Sequence, residues 1–118
     1  MKRSQLQRRT RLKPLSPKRH AEQGARKLVE IMTRQRASDR CEFHHYYKLF
    51  IADVPITCAG PLDVHEIIPR SAWAQGYLDP TNCVALCRRH HAWVTDNPSA
   101  AHELGLHGYS WERPDGAA

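Results

Sequence analysis

No apolar run in this sequence approaches the roughly 18 residues that a bilayer-spanning helix needs, which excludes a helical membrane protein. The opening MKRSQLQRRT is charged with no hydrophobic stretch behind it, so no secretory signal is expected and the cytoplasm is the expected location. Aromatic residues are scarce, with three Trp, four Tyr and two Phe among 118 residues, and the mean hydropathy is −0.65. A large apolar interior is therefore excluded, and one small domain of this composition needs some other brace. Acid is nearly absent from the first third. Residues 1–40 hold 13 Lys and Arg against Glu22, Glu30 and Asp39. Internal repeats and low-complexity tracts are also missing, so a solenoid is not expected.

What is present is unevenly distributed. The formal net charge of +6 divides into +10 over residues 1–40 and −4 over residues 41–118. Only His20 of the eight histidines lies in the basic part; the other seven share the second part with all four cysteines. This is the pattern of a metal-binding module preceded by a basic segment that favours acidic partners such as nucleic acid. In a reducing compartment four cysteines accompanied by histidines point to metal ligation before disulfides. A bound metal would also brace a domain short of core.

Four segments are expected: a disordered basic arm over 1–15, a basic helix over 16–40, a metal-binding domain over 41–106 and a flexible tail over 107–118. Ser16-Pro17 is a helix start, with a capping hydroxyl and a proline at the first helical position. Ala21, Ala25, Leu28 and Met32 then recur at helical spacing. The other faces of this helix carry Arg19, Arg26 and Lys27, among others, as candidate phosphate contacts. Strands are expected over Leu62–Ile68 and Cys83–Leu86, then a helix from Arg88 to about Thr95 and a short one from Asn97-Pro98 to Leu104, stopped by Gly105.

Cys87-Arg-Arg-His90 places a thiolate and an imidazole at a strand-to-helix turn, which is half of a tetrahedral zinc site. The other half must come from upstream. Cys41 with Cys58 is the thiolate-rich choice and the preferred one; His44 competes with Cys58, because Cys41-Glu-Phe-His44 repeats the same two-residue gap. Cys83, inside the apolar Cys-Val-Ala-Leu, reads as a core side chain. Trp73 and Trp93 read as packing residues. His91 cannot share its neighbour's metal, since adjacent helical residues point about 100° apart. It is instead set against the strand that carries His65-Glu66, which suggests a second site with open positions, suited to a catalytic ion.

Asp63-Val-His65-Glu66-Ile-Ile-Pro69-Arg70, followed by Asn82-Cys-Val-Ala-Leu-Cys87-Arg-Arg-His90-His91, resembles the HNH endonuclease signature over about residues 41–105. The basic arm also resembles that of small phage-encoded HNH proteins. The resemblance implies an α+β chain with a ββα-metal (His-Me finger) core braced by the zinc site, acting on DNA, and a phage terminase as partner with packaging or end processing as the setting. It further implies that His65 and His91 hold a catalytic Mg²⁺ or Mn²⁺ ion and that Asn82 fixes the loop or the base. Arg70, Arg88 and Arg89 stand beside that site as candidate phosphate ligands. One position departs from the common pattern: Glu66 stands where most members have a histidine base. Motif position makes Glu66 the base and His65 the ligand; carboxylate affinity for Mg²⁺ argues the reverse. A third reading has Glu66 merely pairing with Arg70, the base then being His45 or water ionised by the metal. A zinc-braced DNA-binding or packaging adaptor without turnover is the alternative function. Oligomeric state is left open between monomer and dimer.

Overall fold

The computed structural model describes residues 14–48 and 53–114. The arm expected over 1–15 falls outside these residues except for Pro14 and Leu15. Helix α1 runs Pro17–Arg36, its start fixed by Ser16, whose Oγ accepts from the Arg19 amide at 3.2 Å. A 3-10 turn, Phe43–His45, follows α1, and further along the chain come strand β1, Leu62–Glu66, and strand β2, Cys83–Cys87. They pair antiparallel with Leu62 opposite Cys87 and His65 opposite Val84. Helix α2, Arg88–Asp96, leaves β2 without a break, and helix α3, Pro98–Glu103, ends before Gly105, whose φ of 80° suits glycine. Among the described residues no helix is long and apolar enough to cross a membrane.

β2 is buried along its whole length because both of its faces are covered. Val84 and Leu86 join Val94, Ala101, Leu104 and Leu106 in the core formed with α2 and α3. Cys83 faces α1 and is 1% exposed, in keeping with its reading as a core side chain; the Arg26 guanidinium lies 3.5 Å from its Sγ. The outer edge of β2 is covered by Glu42, whose amide donates to the Ala85 carbonyl at 2.8 Å and whose carboxylate accepts from the Ala85 amide at 3.0 Å. Arg36 holds that carboxylate at 2.9 Å and donates to the Cys83 carbonyl at 2.7 Å, so the end of α1 is fastened to the strand.

Three expectations change. The apolar stripe of α1 does not face the domain: Val29 and Thr33 are its buried residues, and Leu28 and Met32 are exposed. The reason lies in the polar anchors. Arg26 donates to the Tyr77 carbonyl at 2.7 Å and Glu22 accepts from the Tyr77 hydroxyl at 2.8 Å, which turns the face carrying residues 22, 26, 29 and 33 inward. Second, β1 stops at Glu66 because Asn82 takes over the backbone of Ile68. Third, the segment expected to form a tail begins by docking: the Gly108 amide donates to the Ile67 carbonyl at 2.8 Å, and Tyr109 stacks on Trp111 at 4.8 Å. Residues 115–118 lie outside the described part.

Candidate functional site

The end of β2, the first turn of α2 and two loop positions bring Cys41, Cys58, Cys87 and His90 together, with donor atoms all within 4.8 Å of one another. The three sulfurs lie 3.4, 3.7 and 3.1 Å from His90 Nδ1 respectively. Bond lengths of about 2.3 Å to sulfur and about 2.0 Å to nitrogen in a tetrahedron require ligand separations of roughly this size. The cluster can hold a structural metal such as zinc. His44 lines the adjoining cleft with Cys41 and Cys58 but is outside the donor set.

The tautomer of His90 is set from behind. Its Nε2–H donates to the Pro55 carbonyl at 2.7 Å, which leaves the Nδ1 lone pair for the sulfur side. Phe43 stacks on the ring at 4.0 Å and Trp93 meets Phe43 edge-on, so aromatic packing holds the ligand in place and gives Trp93 its role. Burial opposes ionisation of Cys87, but the backbone amides of His90 and Ala59 point at its sulfur and bring its pKa below the ordinary thiol value. Burial and the neighbouring Cys41 and Cys87 sulfurs push the Cys58 thiol up to about 12. Sulfurs crowded in this way repel one another as thiolates, and a divalent cation held among them relieves that repulsion.

Beyond the sulfur cluster, strand alternation puts Asp63 and His65 on one face of β1, and the first turn of α2 brings His91 to the same place. The two imidazoles meet edge-to-face at 5.2 Å. His65 is 8% exposed, and its Nε2–H donates to the Leu106 carbonyl at 2.6 Å, leaving Nδ1 with its lone pair. Burial holds the His65 pKa down to about 4. His91 Nδ1–H donates to Asp63 Oδ2 at 3.0 Å, leaving Nε2 available. Asp63 also takes a two-pronged contact from Arg88, at 2.7 and 3.0 Å, and Arg88 foremost with His91 keeps its carboxyl down near 2. Asp63, missed in the sequence reading, was detectable as the residue two before His65 on the same strand face. The Leu106 carbonyl had no sequence signal.

Asn82 sits at the other end of the hairpin, 5% exposed. Its Oδ1 accepts from the Ile68 amide at 2.9 Å, and its Nδ2 donates to the Ile68 and Gly76 carbonyls at 3.0 and 3.2 Å. It therefore clamps both ends of the loop between the strands. Asn82→Ala takes the partner from the Ile68 amide and carbonyl and one of two donors from the Gly76 carbonyl, and is expected to cost about 2–4 kcal/mol, read as a fall in melting temperature of about 10 °C or more. A shift of only a degree or two would show that the clamp is dispensable.

Glu66 is not brought to the histidines. It lies opposite Cys83 on the face turned to α1, where Arg70 Nε holds it at 2.9 Å and Arg26 lies at 3.9 Å. This is the pairing named in the third reading of Glu66, and its cause is the two-residue period of the strand, which sends Glu66 and His65 to opposite faces. Arg26 is likewise drawn inward, between Glu30, the Tyr77 carbonyl and Cys83. Arg88 is taken up by Asp63, and Arg89 reaches Thr57 at 2.6 Å. Arg19, Lys27 and Arg70 line one cleft, with the Arg70 guanidinium 4.2 Å over the Tyr77 ring.

No protein family, curated protein or solved structure matches the chain.

The His65 geometry has a consequence for acid stability. Unfolded, this imidazole titrates near 6.5; folded, near 4. Its contribution is complete above about pH 6.5 and is lost as the pH falls toward 4, because only the unfolded chain then takes up the proton. The full loss corresponds to roughly 3 kcal/mol. Melting curves in buffer free of added divalent ions should fall more between pH 7.5 and pH 5 for the native chain than for His65→Gln. Equal falls would contradict the buried neutral imidazole.

Proposed function

We propose that this chain is a metal-dependent HNH-type endonuclease that hydrolyses DNA phosphodiester bonds. The observation that carries this reading is the convergence of His65 and His91. Each has one ring nitrogen tied to an acceptor, the Leu106 carbonyl and Asp63, and each keeps the other nitrogen's lone pair. That donor chemistry fits a divalent ion held by two imidazoles with positions left open, and a carboxylate behind one imidazole is the usual support for a ligand histidine. A Mg²⁺ or Mn²⁺ ion bound there supplies charge stabilisation at the scissile phosphate.

The chain's own residues do the rest in this reading. Asp63 keeps His91 in the tautomer with Nε2 bare, and the Leu106 carbonyl does the same for His65 Nδ1. Asn82 holds the loop between the strands and so sets the end of β1. Arg88 stands beside the imidazoles and Arg89 one residue further along α2, where guanidinium groups can take up phosphate oxygens. Arg70 lies at the far side of the same strand end, positioned by Glu66. The basic excess of residues 1–40 supplies backbone affinity without base readout. Work alongside a phage terminase belongs to the same proposal, on the strength of the sequence resemblance.

One observation favours a second reading, a metal-braced DNA-binding module without turnover. Both carboxylates of the strand that carries His65 are engaged by arginines, Asp63 by Arg88 and Glu66 by Arg70. Incubation of the purified chain with supercoiled plasmid across Mg²⁺, Mn²⁺, Ni²⁺ and Zn²⁺ separates the two. Nicked or linear product is the expected result; salt-sensitive binding with no cleavage under any ion would establish the module instead.

A further inference from the structure

We infer, resting on the DNA reading of the histidine site, that Trp111 stacked on Tyr109 is a platform for an unpaired nucleobase of the bound strand. Trp111 is 74% exposed although its indole lies against the Tyr109 ring, with centroids 4.8 Å apart and planes 14° from parallel. The other face of the indole is therefore open. A lone exposed aromatic side chain is ordinary on a protein surface, but this one is held in place. Tyr109 is half-buried, and the His102 and His107 rings pack on it at 4.8 and 5.0 Å. Glu112 closes the turn: its Oε1 accepts from the Tyr109 amide at 3.0 Å and lies 2.8 Å from His102 Nε2. Just before the turn, the Gly108 amide is fastened to the Ile67 carbonyl, and a Cβ on Gly108 would stand 2.6 Å from Ile68 Cγ1, so the close approach needs glycine. A ring fixed in advance loses little freedom on binding.

Shape, position and charge identify the occupant. A flat open π face suits a planar ring, and stacking of bases on aromatic side chains holds a single strand without reading its sequence. Inside a duplex each base is covered on both faces by its neighbours, so only an unpaired, terminal or extruded base can lie on Trp111. The platform is continuous with the histidine site. Leu106, whose carbonyl holds His65, stands five residues before Trp111, a span of at most about 18 Å, which about five stacked nucleotides cover. His107 lies between the two, in contact with Tyr109 and close enough to His65 for its charge to act there. The one carboxylate of the turn, Glu112, is met by the Tyr109 amide and His102, which lessens its opposition to a phosphate. The +6 charge of the chain favours an anionic strand over a neutral sugar, which also stacks on indole.

The test uses the full chain in buffer without added divalent ions and two labelled twelve-nucleotide strands, oligothymidylate and the same backbone without bases, followed by anisotropy. Trp111→Ala is expected to weaken oligothymidylate binding by about tenfold or more, and Trp111→Phe by only a fewfold. The baseless strand should bind the native chain and Trp111→Ala alike, since it keeps its phosphates and has nothing to stack; that equality also shows the variant to be folded. Oligothymidylate should quench part of the native tryptophan emission, and that part should be missing in Trp111→Phe. Oligothymidylate binding that is indifferent to Trp111→Ala, or an equal loss on both strands, would overturn the platform and leave the DNA reading standing. Binding to plasmid without binding to oligothymidylate would do the same. Quenching of the Trp111 emission by maltoheptaose would make the occupant a sugar and overturn the platform as well. Absence of binding to oligothymidylate and plasmid alike would remove the DNA reading itself, and the platform with it.

Discussion

A Cys87→Ser chain is expected to lose tightly bound zinc and its cooperative unfolding transition together. Cys87 lies at the junction of β2 and α2, its sulfur 3.1 Å from His90 Nδ1. The same cluster draws in Cys41 from before the first strand and Cys58 from the loop ahead of it. One ion at this point would therefore tie four chain segments that the sparse core leaves weakly joined. Structural zinc binds peptide ligand sets with an apparent free energy of roughly 10–16 kcal/mol, comparable to or larger than the roughly 5–15 kcal/mol stability of a whole domain. Loss of one thiolate removes enough of this to unfold the chain. Elemental analysis should find one zinc per native chain, and a strong chelator should abolish the melting transition as Cys87→Ser does. A Cys87→Ser chain that melts like the native one would refute the brace. Cys83→Ala is the control: Cys83 is buried against α1 outside the donor set, so zinc content should be unchanged.

His91→Ala should abolish plasmid cleavage while zinc content and melting temperature stay near native. The His91 side chain is one-third exposed and touches Asp63 and the edge of the His65 ring, so little packing is lost. If it holds the ion that stabilises the phosphate's developing charge, removing it forfeits several kcal/mol of transition-state stabilisation, a rate loss of about 10³-fold or more. Asp63→Asn should cost less, about 10- to 100-fold, because Asp63 acts by orienting His91. Glu66→Gln should change the rate by only a fewfold, since the Glu66 carboxylate faces Arg70 and Arg26 across the strand. Full activity in His91→Ala would remove the proposed site. Complete loss in Glu66→Gln with intact folding would return Glu66 to the role of base.

Much of the architecture was legible because it depends on local chemistry. Ser16-Pro17 starts α1, the apolar Cys83–Cys87 run is the buried strand, and Gly105 follows α3 at a positive φ, each for reasons contained in a few neighbouring residues. The sulfur-rich donor set was legible in the same way, from ligand types and a strand-to-helix turn. Asn82 was named through the resemblance, as fixing either the loop or the base; that its targets are the Ile68 and Gly76 backbones required the loop to be seen closed.

The inward face of α1 was not legible. Hydrophobic spacing pointed to Leu28 and Met32, whereas two long-range polar contacts to Tyr77, about fifty residues away in sequence, rotate the helix so that Val29 and Thr33 are buried. The same limit applies to Leu106, whose carbonyl meets His65 from 41 residues away, and to Arg88, whose partner Asp63 lies on another element. The sequence by itself determined the elements, their order, the metal-ligand chemistry and the separation of a basic first third from an acidic remainder. Only the tertiary structure decided which face each element turns inward, which histidine nitrogens keep their lone pairs and which charges neutralise one another. Periodicity and capping act over one or two turns of chain, whereas these choices are settled by contacts between distant residues that exist only once the chain has closed.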